Sequence, residues 1–270
     1  MDSVLKKYGI DEKEAERYIE KFRKIEPHKF AVIKVGGESI VDGLSESLAF
    51  LSEAGLYPVI VHGGGNQIDN ELKKRGIKAR KINGVRVTDE KTLYVVSSVI
   101  SDVNEKLVES IKKYGGKAVS VKNALIAEKM SGDYGLVGEI IGVKSDIIKN
   151  CINEKNIPVL WCLSYDNSQI YNTNADVAAN AVFFAMSHEN YIMLTKKGGI
   201  ENNGHIVSSL NTNELKDYIS KDIVNGGMGY KSEKIIEAIE KRGCTMRIIS
   251  PENLLAELLT EKGHGTYISR

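Results

Sequence analysis

The chain is an α/β protein: a mainly parallel sheet covered by helices on both faces, a three-layer sandwich. Two observations predict this. Short, almost wholly apolar runs alternate with amphipathic segments of helical period, the pattern of strands buried on both faces. Four polar or Gly-rich stretches then stand where such runs end: Lys34-Val35-Gly36-Gly37, His62-Gly63-Gly64-Gly65, Asn172-Thr173-Asn174-Ala175-Asp176 and Gly226-Gly227-Met228-Gly229-Tyr230-Lys231. Ligands of open α/β sheets bind at the carboxyl ends of strands, where backbone amides and helix N-termini meet anions.

The elements follow in order. Residues 11–25 carry Ala15, Tyr18, Ile19, Phe22 and Ile25 at helical spacing, and Pro27 ends that helix. It stands outside the first βαβ unit, so it needs a surface, either its own domain or a second copy of the chain. Strand 30–35 (FAVIKV), helix 42–54, strand 57–62 (YPVIVH) and helix 65–75 come next. Residues 77–88 suggest a hairpin, 89–113 a long helix, 117–121 a strand and 134–143 a second hairpin. Helix 145–155, strand 157–163 (IPVLWCL), helix 174–187 and strand 191–195 (YIMLT) continue the alternation. Helices 211–219 and 229–241, strand 245–250 (TMRIIS) and helix 251–259 complete it. Hairpins placed between units suggest lids beside a site.

Composition narrows the function. Lys and Arg number 37 against 36 Asp and Glu, without the basic excess of a nucleic-acid binder. Three cysteines (Cys151, Cys162, Cys244) form no CxxC pair, and their odd number argues against a disulfide framework. A reducing cytoplasm is the expected setting. The charged stretch 1–24 has no apolar core of a secretory leader, and the apolar run 157–163 is too short to cross a bilayer, so no membrane is expected.

The motifs point to phosphoryl chemistry. Neither a P-loop GxxxxGK[ST] nor the GxGxxG fingerprint is present, and protein-kinase HRD and DFG are absent. Lys34 closes a strand beside Gly36 and Gly37, which let a ligand approach the backbone. Gly63, Gly64 and Gly65 lead into a helix N-terminus as an anion nest, while His62 reads as structural. Asn83-Gly84 is a hairpin turn that presents Arg86, suited to a carboxylate. Asn172, Asn174 and Asp176 alternate onto one side before a helix, where Asp176 could equally be a cap. Gly227, Met228 and Gly229 precede a helix whose first turn carries Lys231.

In combination, VIKVGG, VIVHGGG, NGVRVTD, YNTNAD and NGGMGYK resemble the amino-acid kinase family, and within it the branch that phosphorylates N-acetylglutamate in arginine biosynthesis. Residues 18–37, 134–140 and 254–266 are closest to the eukaryotic-type and bifunctional synthase–kinase branch. The resemblance runs from Phe30 to Ile268. It implies the amino-acid kinase fold in two lobes: a helical extension (1–28), a lobe for N-acetylglutamate (29–187) and a lobe for ATP (188–270). It implies that Lys34 and Lys231 hold the transferring group and that Asp176 fixes both ammonium groups. Gly37 and Gly64 donate amides to the phosphoryl oxygens, with Gly36, Gly227 and Met228 on the nucleotide side and Thr195 near the adenosine. Gly64, Gly65, Arg86, Asn172 and Asn174 hold N-acetylglutamate, Arg86 on its α-carboxylate. Mg²⁺ arrives with ATP, and no dedicated metal site is expected.

The resemblance further implies a homo-oligomer and an L-arginine effector held by Glu257, Gly263 and Gly265 beside the N-terminal helix. Two departures stand out. Lys196 and Lys197 occupy positions where many members have an acidic residue, and Asn253 replaces a histidine often found there. Members of the synthase–kinase type continue into an acetyltransferase domain, whereas the present sequence ends at Arg270. The alternatives are a related kinase acting on N-acetyl-aminoadipate, glutamate or aspartate, and a catalytically silent arginine-sensing module. Retention of Lys34, Asp176 and Lys231 together argues against the silent module.

Overall fold

The computed structural model describes residues 2–242 and 244–270; positions 42, 227, 230, 231, 234 and 242 are described only as members of their helices. Its first half runs α1 (Asp2–Lys7), α2 (Glu12–Arg23), β1 (Ala31–Val35), α3 (Asp42–Glu53), β2 (Val59–His62), α4 (Gly65–Lys74), β3 (Lys81–Ile82), β4 (Val85–Arg86) and α5 (Glu90–Lys113). Then come β5 (Ala118–Val121), β6 (Leu125–Lys129), β7 (Gly138–Val143), α6 (Ser145–Asn153), β8 (Ile157–Trp161), β9 (Leu163–Tyr165), β10 (Ile170–Asn172) and α7 (Ala175–Met186). The last part holds β11 (Asn190–Leu194), β12 (Glu201–Asn202), β13 (His205–Ile206), β14 (Ser209–Asn211), α8 (Thr212–Ser220), α9 (Gly226–Arg242), β15 (Thr245–Ile249), α10 (Leu254–Leu259) and β16 (Thr266–Ser269).

An eight-stranded sheet in the order β14-β16-β15-β11-β1-β2-β8-β5 forms the middle layer. Its pairings are parallel except β15 with β16. Alternate residues of β1 enter different cores. Val32 joins Val61, Ile100, Ala178 and Ile235 on one face, while Ile33 and Val35 join Phe22, Leu48, Leu107 and Leu255 on the other. That two-sided burial explains the nearly unbroken apolar runs. The register Val35↔His62 and Val35↔Leu194 makes the three central strands end level, so their outgoing loops share one edge.

A smaller sheet, β10-β9-β6-β7, stands beside this edge. The expected hairpin at 134–143 is corrected here: β7 pairs antiparallel with β6, so the hairpin spans Leu125 to Val143. Local pattern hid β6 because Leu125 and Ala127 are buried while Glu128 and Lys129 reach solvent. The residues 130–137 between them fold back on the β4 loop. Thr88 donates to the Tyr134 carbonyl at 2.9 Å and accepts from Leu136 at 2.6 Å. Gly135 makes this contact possible with φ +72°, since a Cβ there would lie 2.3 Å from the Thr88 carbonyl oxygen.

Helix starts are locally encoded. Asp89 caps α5 by accepting from the Thr92 amide at 2.7 Å, and Asn211 with Glu214 forms a capping box on α8. Helix α9 begins at Gly226 rather than 229, so Gly227, Met228 and Gly229 lie within the helix instead of preceding it. Helix α2 docks on its own domain. Ala15, Ile19 and Phe22 are buried in the same core as α10, and Phe22 meets Phe30 edge-on with ring centroids 5.2 Å apart.

That docking predicts the effect of truncation. Phe22→Ala should destabilise the chain by about 3 kcal/mol, the usual cost of removing a buried aromatic ring. Urea unfolding measures it; a loss near zero would mean that α2 is held elsewhere.

Candidate active site

Lys34 and Asp176 meet at the sheet edge. Alternation along β1 places Lys34 on the Val32 face, toward α7, and Asp176 stands in the first turn of α7. Nζ of Lys34 lies 2.8 Å from Oδ1 of Asp176, with both side chains at least nine-tenths buried. The cap of α7 is Asn174, whose side chain accepts from the Asp176 amide at 2.7 Å. Asp176 is therefore free of capping duty and serves the ion pair. A buried pair of this kind is stable only because each charge has the other.

One cavity of about 490 Å³ opens over this pair. Gly36, Gly37, Gly64, Gly65, Arg86, Asn172, Asn174 and Thr195 all line it, together with Lys34 and Asp176. The two glycine loops are tied to each other. The Gly63 amide donates to the Val35 carbonyl at 3.1 Å, Gln67 donates to the Gly37 carbonyl at 2.8 Å, and Asn66 donates to Glu38. A Cβ on Gly37 would meet the end of the Gln67 side chain, which would have to move aside.

Arg86 is 8% exposed and held at both ends of its guanidinium: Nη1 donates to Oδ1 of Asp69 at 2.5 Å, and Nη2 donates to the Gly65 carbonyl at 3.4 Å. Lys81 donates to the other carboxylate oxygen at 3.0 Å. Burial alone would raise the Asp69 carboxyl, but hydrogen bonds and charge from Arg86 and Lys81 outweigh it and hold the group below its usual range. Asn172 donates to the Thr88 hydroxyl at 3.0 Å, which links β10 to the β4 loop. Cys162 also lines the cavity, and burial pushes its thiol up to about 12, so it stays protonated.

Several lining residues escaped the sequence reading, Glu38, Asn66, Lys81 and Cys162, and Lys196 entered it only as a departure from the family pattern. Lys196 had a signal, as a cation just past the strand ending at Leu194. It is exposed and, among the described residues, makes no ion pair, whereas Lys197 pairs with Glu201 at 3.0 Å. Met228 does not line this cavity; it is half-buried against the core. Gly227 and Lys231 belong to α9, and their place relative to the cavity lies outside the described residues.

The residues expected for an effector line a second cavity of about 770 Å³. Glu257, Gly263 and Gly265 meet Tyr18 and Phe22 of α2 there, joined by Arg247. Glu257 is not a solvated helix residue: its carboxylate takes Nε of Arg247 at 3.2 Å and accepts from the His264 amide at 2.8 Å.

His62 yields a pH prediction. Complete burial, opposed only by the Gly63 carbonyl, lowers its imidazole from 6.5 to about 4. Between these values the unfolded chain binds a proton that the folded chain does not, so stability is full above pH 6.5 and falls as pH drops toward 4. The loss should be about 3 kcal/mol. Denaturation at a series of pH values should show a shallower decline for His62→Asn than for the native chain; equal slopes would contradict the buried neutral form.

Residues 29–250 match the amino acid kinase family. The acetylglutamate kinase of Xylella fastidiosa (strain 9a5c) is 37% identical over 268 residues, covering 96% of this chain and 64% of its own length. The acetylglutamate kinase of Petrotoga mobilis is 35% identical over 277 residues, covering 95% of this chain and 91% of that protein. The chain thus spans just under two thirds of the first relative and most of the second. Among solved structures, an N-acetylglutamate synthase from Neisseria gonorrhoeae, complexed with coenzyme A and N-acetyl-glutamate, superposes with a TM-score of 0.86 at 21% identity. That likeness covers 96% of this chain and 62% of the synthase, and it is one of fold. By its sequence match, its parallel sheet and the loops that converge at the strand ends, the chain belongs to the amino acid kinase family.

Proposed function

We propose that the chain is an N-acetylglutamate kinase, which transfers the γ-phosphoryl group of ATP to the side-chain carboxylate of N-acetyl-L-glutamate. The observation that carries this reading is the meeting, in one cavity, of the Lys34–Asp176 pair, two glycine loops and Arg86. The first two suit a phosphoryl group, and the third suits a carboxylate.

The acceptor needs no general base, because a Glu-type carboxyl with a pKa near ~4.3 is already ionised at neutral pH. Catalysis then reduces to positioning and charge stabilisation. Lys34 has three ammonium protons. Its charge is balanced by Asp176, and its protons serve phosphoryl oxygens with Lys231 and the amides of Gly37 and Gly64. Arg86, steadied by Asp69, holds the α-carboxylate, while Gly65, Asn172 and Asn174 flank the acyl amino acid. Thr195 and Gly227 belong to the nucleotide side of this division, in which residues 29–187 bind the acceptor and 188–270 the ATP, and Gly36 reaches the nucleotide from the acceptor lobe. Lys196 stands at the cavity as a cation for the triphosphate.

Mg²⁺ would be carried by the nucleotide's phosphates. When bound it neutralises phosphate charge.

The test is ADP release with N-acetylglutamate, N-acetyl-aminoadipate, glutamate and aspartate as acceptors. Turnover should be fastest with N-acetylglutamate; preference for another acceptor would replace the substrate, and no turnover would sink the kinase reading. Arg86→Lys should raise KM for N-acetylglutamate about tenfold with little change for ATP, since a point ammonium does not replace a guanidinium fork. Equal losses for both substrates would remove Arg86 from the acceptor side.

The second cavity supports feedback inhibition by L-arginine. Glu257 already pairs with a guanidinium, that of Arg247, and α2 supplies the facing wall. L-arginine should inhibit the intact chain and raise its melting temperature, and deletion of residues 1–25 should abolish the inhibition. Absence of both effects in the intact chain would dismiss the effector while leaving the kinase in place.

A further inference from the structure

Strand β2 ends in a histidine that the chemistry above does not use. His62 is wholly enclosed, and its Nε2 lies 2.9 Å from Nδ2 of Asn104, a fully buried side chain in the middle of α5. The same Asn104 nitrogen stands 3.2 Å from the carbonyl oxygen of Val159 on β8. A carbonyl oxygen can only accept, so the amide end facing it is the NH₂. That NH₂ also meets His62, whose Nε2 must therefore accept and carry no proton. A neutral imidazole then holds its proton on Nδ1, which lies 3.3 Å from the Gly63 carbonyl oxygen and donates to it.

This last contact acts on the site. The carbonyl of Gly63 and the N–H of Gly64 belong to one planar trans peptide, in which the two bonds point in opposite directions. Drawing the carbonyl toward the buried imidazole turns the Gly64 N–H away from it, and Gly64 lines the cavity. The Gly63 N–H is already taken by Val35, and the Gly64 N–H is the loop's first donor without an acceptor among the described residues.

We propose that His62 and Asn104 are positioning residues that aim the Gly64 amide at the transferring phosphoryl group. This rests on the reading of the cavity as a phosphoryl-transfer site. The amide would act where charge develops, so its misalignment should affect turnover more than the binding of either ground-state ligand.

Three variants separate this role from packing. His62→Phe keeps a ring but loses the donor; His62→Asn places an amide N–H near the position of Nδ1; Asn104→Leu removes the group that fixes the tautomer. Each is measured for kcat, KM, melting temperature and the affinity of Mg·ADP with N-acetylglutamate, with and without aluminium fluoride, which mimics the transferring group. His62→Phe and Asn104→Leu should lower kcat by roughly tenfold to a hundredfold and weaken the fluoroaluminate complex to match. ADP and N-acetylglutamate alone should bind within about twofold of the native affinity, and His62→Asn should recover most of the turnover. A fall in melting temperature with kcat intact would overturn the proposal, as would equal losses with and without fluoroaluminate.

A second measurement uses the native chain and does not depend on its substrate. Nitrogen NMR of the ¹⁵N-histidine-labelled protein at neutral pH should show His62 protonated at Nδ1 and bare at Nε2. The opposite tautomer would overturn the proposal even if the kinase assay succeeds. Failure of the native chain to turn over any acceptor, with the Nδ1–H tautomer present, would instead strike the function and with it the role of the amide.

Discussion

A buried ammonium facing a buried carboxylate is the constraint on which the rest of the site depends. Neither Lys34 nor Asp176 could be carried into the interior alone, because an unpaired charge there costs several kcal/mol. Their pairing at 2.8 Å requires β1 and the N-terminus of α7 to meet in one register, although 142 residues separate the two positions in sequence. The sheet supplies that register. Val35 pairs with His62 on one side and with Leu194 on the other, so the loops after β1, β2 and β11 leave at one level around the pair. The central apolar strands thus do more than fill a core: their common length sets where the polar loops stand.

The Arg86 side of the cavity is built on a different principle. Arg86 lies on a two-residue strand with no place in the main sheet, and its orientation comes from contacts instead of register. Asp69 takes one arm of the guanidinium and also holds Lys81. Thr88 bonds to Tyr134, Leu136 and Asn172, joining the β4 loop to the smaller sheet. Such a segment is held in place by local polar links.

Much of this was legible in the residues themselves. The short apolar runs identified β1, β2, β8, β11 and β15, and the glycines and amides after them identified the loops that converge. The elements that escaped were the ones whose stability is borrowed. Strands β9 and β10 have three residues each and β14 another three, too few for a periodic signal, and they exist because a neighbouring strand pairs with them. The start of α9 was placed three residues late because glycine reads as a loop former, although helix geometry accepts it near an N-terminus.

The sequence by itself determined the alternation of strand and helix, the chemical kinds of residue at each strand end, and hence a mainly parallel sheet with polar and Gly-rich loops along one edge. These depend on neighbours a few residues apart, and side-chain period and turn chemistry report them directly. Only the tertiary structure decided which groups meet. It gave Asp176 to Lys34 and the cap of α7 to Asn174, set Asp69 behind Arg86, placed Asn104 against His62, and paired Glu257 with Arg247. Such partners are fixed by how whole elements pack. A buried polar group must find a complement somewhere, but nothing in its local sequence says where.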